Sequence, residues 1–349
     1  MRQLLLFIFL SIASLVAASD YFDILQDEFK QTTTGKVRRY YMTIEEEVWD
    51  YYNETNSKVS EGNHFIGTRY YKALYHEYED ITFTKKKEKF HWQGNMGPIL
   101  KAEVGDIIQI FFWNRASKNF TIHPHGIFYE FEMEGAVFKD AYQESSVGPN
   151  QNYTYTWSVL PRAGPGPKDG DSLVWGYHSH VTENDIYAGL YGAILVYRQG
   201  KLSPFNNDIV TALFVADENL SPYLSQTMSE LYPDFDISNY DQDKVYKAHQ
   251  FPSINGLISS SPKDLVFNET VVQWHLLGWG SYMDVEFIKW ENATIIDGNN
   301  PTAMINNYVR LMPASFYSVI LKLEEIQGEY QFGSLDNQNG MTMKYKMTL

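Results

Sequence analysis

Apolar residues in this chain come in short runs, and that limits the fold more than any other feature. Ile107 to Trp113, Leu173 to His178, Ala188 to Tyr197, Ile209 to Ala216, Val271 to Leu277, Ser318 to Leu323 and Met341 to Met347 are each of strand length, and Gly, Pro, Asn and Asp separate them. Such runs, rich in β-branched and aromatic residues, read as strands buried in a sheet. Leu220 to Leu231 reads as a short helix, and residues 20–36 as a loose polar lead-in. Short strands at regular spacing give an all-β fold of two tandem Greek-key sandwich or barrel domains. The length of 349 residues suits two domains. The polar stretch Gln199 to Asn207 divides them, so residues 37–200 form the first and 205–349 the second.

The chain holds no cysteine. Both cores must therefore be closed by packing alone, which the 16% aromatic content makes feasible. The same absence excludes cysteine nucleophiles, iron–sulfur and zinc-thiolate sites, and any copper site that needs a thiolate. A net charge of −15 repels phosphate and argues against nucleic acid as a partner.

At the N-terminus, Met1-Arg2 precedes the apolar stretch Leu4 to Val16 and the small residues Ala17-Ala18. This is the pattern of a signal peptide over 1–18, removed on export. No later stretch is apolar for the length of a membrane span, so no span is expected after cleavage. Six N-x-S/T sequons, at Asn53, Asn119, Asn152, Asn219, Asn268 and Asn292, fit a secreted glycoprotein.

The chemistry concentrates in His123-Pro124-His125 and His178-Ser179-His180, which hold four of the nine histidines. Residues i and i+2 of a strand point to one face, so each pair converges on one place. Pro124 argues for a strand end or rim, where a ligand has access. Imidazole binds copper, zinc, iron and nickel, and with no carboxylate built into either pair copper is the first choice. The alternative is that the pairs are ordinary polar residues at strand ends. His275 reads as a core or rim residue. His64, His76, His91 and His249 lack partners in sequence and read as surface residues.

Val104-Gly105-Asp106, the stretch His123 to Tyr129, Glu134-Gly135-Ala136, Tyr153 to Trp157, Tyr177 to Val181 and Gly189 to Leu195 together resemble the first cupredoxin domain of the multicopper oxidase family, in its ceruloplasmin, hephaestin and coagulation-factor form. Ser253 to Gly256 and Trp274 to Gly278 resemble that family's second domain. The resemblance implies two cupredoxin-like domains. It also implies one half of a trinuclear copper cluster, with His123 on the type 2 copper and His125, His178 and His180 on the type 3 pair.

The departures limit the function. Where the family's second domain carries its blue-copper ligands, this chain has Glu286 for one histidine, the neighbourhood of Gly333 for the cysteine, and Gln338 for the other histidine. Met341 alone matches. Glu144-Ser145 does not match the paired aspartates of the family's calcium site. The second domain has no His-x-His, so a full cluster needs four ligands from elsewhere. A second copy of this chain, or another cupredoxin chain, would have to supply them. The expected function is a secreted copper-binding protein related to multicopper oxidases, with oxidase activity only if a partner completes the cluster. The alternative is a non-catalytic interaction module without metal. A hydrolase or carbohydrate-binding role ranks last, since no Gly-x-Ser-x-Gly is present.

Overall fold

The computed structural model describes residues 23–52, 66–137, 146–203, 208–281, 285–336 and 340–348. The segment 1–18, Asn53, His64, Glu144-Ser145 and Gln338 lie outside the described residues.

The first domain contains β1 (Val37–Asp50), β2 (Arg69–Tyr78), β3 (Ile99–Glu103), β4 (Ile107–Asn114), β5 (His123–Pro124), β6 (Asn152–Ser158), β7 (Ser172–His178) and β8 (Tyr191–Tyr197). They make two four-stranded sheets, in the orders β2-β1-β4-β6 and β3-β8-β7-β5. The second contains β9 (Asp208–Asp217), β10 (Gln250–Ile254), β11 (Val266–Phe267), β12 (Val271–Gly278), β13 (Glu286–Trp290), β14 (Ala293–Asp297), β15 (Met304–Ile305), β16 (Val309–Leu311), β17 (Phe316–Leu323), β18 (Gly328–Ser334) and β19 (Thr342–Met347). Its sheets run β10-β9-β12-β17-β14-β15 and β11-β19-β18-β13-β16.

The domains repeat one plan. Parallel pairs join β1 to β4 and β3 to β8 in the first, and β9 to β12 and β11 to β19 in the second. By this correspondence β5 and β7 of the first domain match β13 and β18 of the second.

Alternation places the core. Along β4, Ile108, Ile110, Phe112 and Asn114 are buried, with half-buried residues between them. Strand β8 differs, since all seven of its residues are buried. Ile194 and Val196 face the first-domain interior, packed with Ile108 and Trp157. Tyr191, Ala193, Leu195 and Tyr197 face the other way, into a cluster with Ile209, Leu213 and Trp274 of the second domain. One sheet thus serves two cores, which explains why its sequence is continuously apolar.

Two elements depart from the sequence reading. The lead-in is a helix over 23–32, with Leu25 buried and Phe29 one turn on. A helix also forms at Gln242–Ala248, where the sequence reading assigned no element. Its start was encoded locally, because the Asp241 side chain accepts from the Lys244 N–H at 3.1 Å. The expected helix near Leu220–Leu231 is present at Leu224–Leu231.

Candidate metal centre

Strand β5 is the edge of its sheet, which is where Pro124 costs no ladder hydrogen bond. It pairs antiparallel to β7 so that His123 stands directly opposite His178. The His125 N–H donates to the Gly176 carbonyl at 2.9 Å, which extends the pairing past the proline. The ring centre of His123 is 5.4 Å from that of His125, 5.6 Å from His178 and 5.0 Å from His180. The rings of His125 and His178 are 5.1 Å apart, and those of His178 and His180 are 5.4 Å apart. Ring nitrogens of His123, His125 and His178 all lie within 4.8 Å of one another. His180 is exposed and stands just outside that group.

Hydrogen bonds fix which nitrogens are free. His123 Nδ1 lies 2.8 Å from the Glu134 carbonyl, and His178 Nδ1 lies 2.7 Å from that of Ser179. A carbonyl only accepts, so both Nδ1 atoms carry the proton and both Nε2 atoms keep a lone pair. His178 Nε2 is 3.0 Å from His125 Nε2, which must therefore be the donor between them. Burial holds the imidazoles neutral. It lowers His123, takes His125 to about 4 with the neighbouring His123 adding to the effect, and takes His178 to about 3 with His125 adding.

This donor set fits a copper-type ion. Two imidazole nitrogens about 2 Å from one ion, at angles between square and tetrahedral, are about 2.8–3.3 Å apart. The 3.0 Å separation of the His125 and His178 nitrogens falls in that span. Once the His125 proton moves to Nδ1, the Nε2 atoms of His125 and His178 would share one ion, and His123 would offer its Nε2 beside it. The protein would contribute neutral imidazoles, with His123 and His178 oriented by backbone carbonyls.

The second domain walls one side of the cluster. The His125 ring is 5.2 Å from Phe316 and 5.9 Å from Trp279, and the His178 ring is 5.3 Å from Trp279. A glycine makes this contact possible, because a Cβ at Gly176 would stand 2.6 Å from both the Phe316 and the Trp279 ring. On the other side, Gly135 adopts φ +70°, and a Cβ there would meet the Ile122 carbonyl at 2.1 Å. That close approach brings the Glu134 carbonyl to His123.

The matching place in the second domain has no imidazole. There Glu286 on β13 is buried and accepts a hydrogen bond from the Ser334 hydroxyl at the end of β18. The Gly333 backbone closes on the Met341 carbonyl, and Met341 is fully buried.

Elsewhere, His275 is a core residue, with Nδ1 2.8 Å from Ser318 Oγ and Nε2 3.3 Å from Asp208. The order Asp208–His275–Ser318 resembles a nucleophilic relay, but His275 and Ser318 are buried. His249, read as a surface residue, is 4% exposed instead, with Nδ1 2.7 Å from the Tyr70 hydroxyl. His76 is also mostly covered and lies 3.3 Å from the Glu47 carboxylate. The His249 contact comes from Tyr70, 179 residues away on β2, and the His76 contact from Glu47 on the neighbouring strand β1. Among the sequons, Asn152 and Asn268 are exposed. The Asn219 amide nitrogen is held by Asp217 at 2.7 Å and the Tyr246 carbonyl at 2.9 Å.

Sequence reasoning gave no supporting role to Thr121, Ser179 or Asp185. Ser179 is fully buried and its hydroxyl donates to Asp185 at 2.6 Å. The Thr182-x-x-Asp185 spacing was the one local signal, because that carboxylate caps the Thr182 turn.

Comparison with known proteins agrees with this arrangement. Residues 76–201 match the family model described as multicopper oxidase. The chain is 34% identical over 309 residues to Ferroxidase HEPHL1 of Homo sapiens, covering 80% of this chain and 26% of that protein. It is 32% identical over 314 residues to hephaestin of Mus musculus, covering 81% and 27%. To coagulation factor V of Homo sapiens it is 30% identical over 312 residues, covering 84% and 14%. The chain thus spans less than a third of these relatives. Among solved structures, a multicopper oxidase aligns with a TM-score of 0.59 at 16% identity over 90% of both chains. The copper nitrite reductase of Nitrosomonas europaea aligns at 0.57 and 13%, covering 90% of this chain and 94% of that one. At such identities these two speak for the fold alone. The paired His-x-His strands, the repeated β-plan and the matches in sequence together place this chain in the multicopper oxidase family, in the branch of hephaestin and coagulation factor V.

Proposed function

We propose that this is an exported copper-binding protein whose four histidines, His123, His125, His178 and His180, are one half of an oxygen-reducing copper cluster. The observation that carries this reading is the convergence of the His123, His125 and His178 nitrogens within 4.8 Å. Relatives named as ferroxidases support copper as the metal and ferrous iron as a substrate to test. The signal-peptide pattern and the exposed sequons at Asn152 and Asn268 support export and glycosylation. No helix among the described residues is long and apolar enough to cross a membrane.

Oxidation of a substrate needs an electron entry site and four more ligands. Glu286 and Ser334 fill the place of the first. Trp279 and Phe316 wall the side of the cluster toward the second domain, so the missing ligands must approach past His123 and His180. A second copy of this chain, or another cupredoxin chain, docking on that open side is the proposed partner. A second reading, a non-catalytic module, is favoured by the likeness to coagulation factor V and by the closed Glu286–Ser334 position.

Metal analysis of the purified protein separates the two readings. The expected result is bound copper without an intense blue thiolate band, lost when His125 and His178 are both changed to Ala. Copper-free protein after exposure to Cu(II), with its histidines intact, would overturn the copper reading. If copper is bound, ferrous and phenolic oxidation assays, run across protein concentration, show whether activity depends on self-association.

A further inference from the structure

A metal held by two histidine pairs depends on the spacing of those pairs, and that spacing is set by side chains that are not themselves ligands. Ser179 lies between His178 and His180 and points inward. Its hydroxyl donates to Asp185 Oδ2 at 2.6 Å and accepts from the Thr121 N–H at 3.1 Å. Thr121 precedes His123 by two residues, and its own hydroxyl accepts from the His180 N–H at 2.9 Å. Ser179 and Thr121 thus brace the two pairs reciprocally.

Asp185 anchors the brace. Its carboxylate accepts from Ser179 Oγ, from the Val181 N–H at 3.1 Å, and from Thr182 N–H and Oγ1 at 3.3 and 2.8 Å. A group facing this many donors must be acceptor-only, which an ionised carboxylate is and an amide is not. Asp185 opens the short helix Asp185–Ala188. The carbonyl of Tyr187 in that helix accepts from Lys72 Nζ at 2.7 Å, and Lys72 is ion-paired with Glu218 of the second domain. The side chains of this pair are only 2% and 1% exposed, and Tyr51 also donates to Glu218. A continuous path therefore runs from the second domain to both metal-bearing segments.

We propose that Ser179 and Asp185 are positioning residues for the metal centre, and that the Glu218–Lys72 pair couples the seating of the second domain to the spacing of the histidine pairs. The inference rests on the copper reading for its purpose, and its geometry is testable without metal. In metal-free full-length protein, Ser179→Ala and Asp185→Asn are expected to speed amide exchange at Thr121 and His180 by about 5- to 10-fold, the consequence of one lost hydrogen bond. Glu218→Gln, which touches neither amide, is expected to do so in the same direction by a smaller factor. With Cu(II), competition against a chelator is expected to show about 10- to 100-fold weaker binding by the Ser179 and Asp185 variants, with a changed copper hyperfine pattern. Folding is followed by circular dichroism. Folded variants with wild-type exchange at both amides would overturn the proposal. So would copper lost only in proportion to unfolded protein, with the spectrum of the remainder unchanged. Altered exchange in a protein that binds no copper would instead count against the copper reading alone.

Discussion

His249 shows what burial does to an imidazole whose ring bonds a phenol rather than a carboxylate. Desolvation takes its pKa to about 4, against the opposing pull of Asp217, and its Nδ1 is occupied by the Tyr70 hydroxyl. In the unfolded chain the same group titrates near 6.5. Between these values the unfolded state binds the proton first, so its contribution is present above about pH 6.5 and is lost progressively as pH falls toward 4. Urea unfolding of metal-free protein is expected to give a shallower loss across that window for His249→Gln than for the wild type. Equal slopes would show that the ring is not the buried, neutral group described. At this scale the convergence of the histidine pairs was legible, because an i, i+2 pair on a strand carries its own geometry. His249 and Lys72 were not. Lys72 is buried because Glu218, 146 residues away, meets it, and only the assembled fold reveals that partner.

Among the elements, β7 has little tolerance where it borders the histidine cluster. It ends in His178, pairs with β5 on one side and β8 on the other, and passes beneath Trp279 and Phe316 at Gly176. Gly176→Ala is expected to push both rings from the cluster and to destabilise the protein by about 1–3 kcal/mol, the usual cost of overpacking. The urea midpoint and the tryptophan fluorescence of Trp279 should both move. A variant with unchanged stability and spectrum would mean that the rings yield without cost. Strands whose apolar residues alternate or run continuously, such as β4, β8, β9, β12 and β17, were readable from sequence. Strand β2 was not, since its charged residues conceal a run in which Tyr70, Lys72, Ala73, Leu74 and Tyr75 are all buried. Strands β13 and β14 were equally hidden by their brevity.

For the whole molecule, the shared sheet decides how the protein unfolds. Leu195 is fully buried, but against the second domain rather than inside the first. Leu195→Ala is expected to cost about 2–5 kcal/mol. Calorimetry is expected to show one transition shifted as a unit. Two separate transitions, with only one displaced, would show that the domains fold independently. The two-domain all-β plan could be read in advance from strand spacing. The common core could not, because it depends on which face of β8 meets which neighbour.

The double-sided burial of β8 has a practical consequence for anyone wishing to cut the protein down. A protease nick between the domains would leave two pieces that stay together as a tight heterodimer, since each supplies the lid of the other. A first-domain fragment prepared alone would instead carry Tyr191, Leu195 and Tyr197 on an uncovered surface. Its first partner would be another fragment, so metal titrations on such a truncation would report on an aggregate's histidines rather than on those of the whole chain.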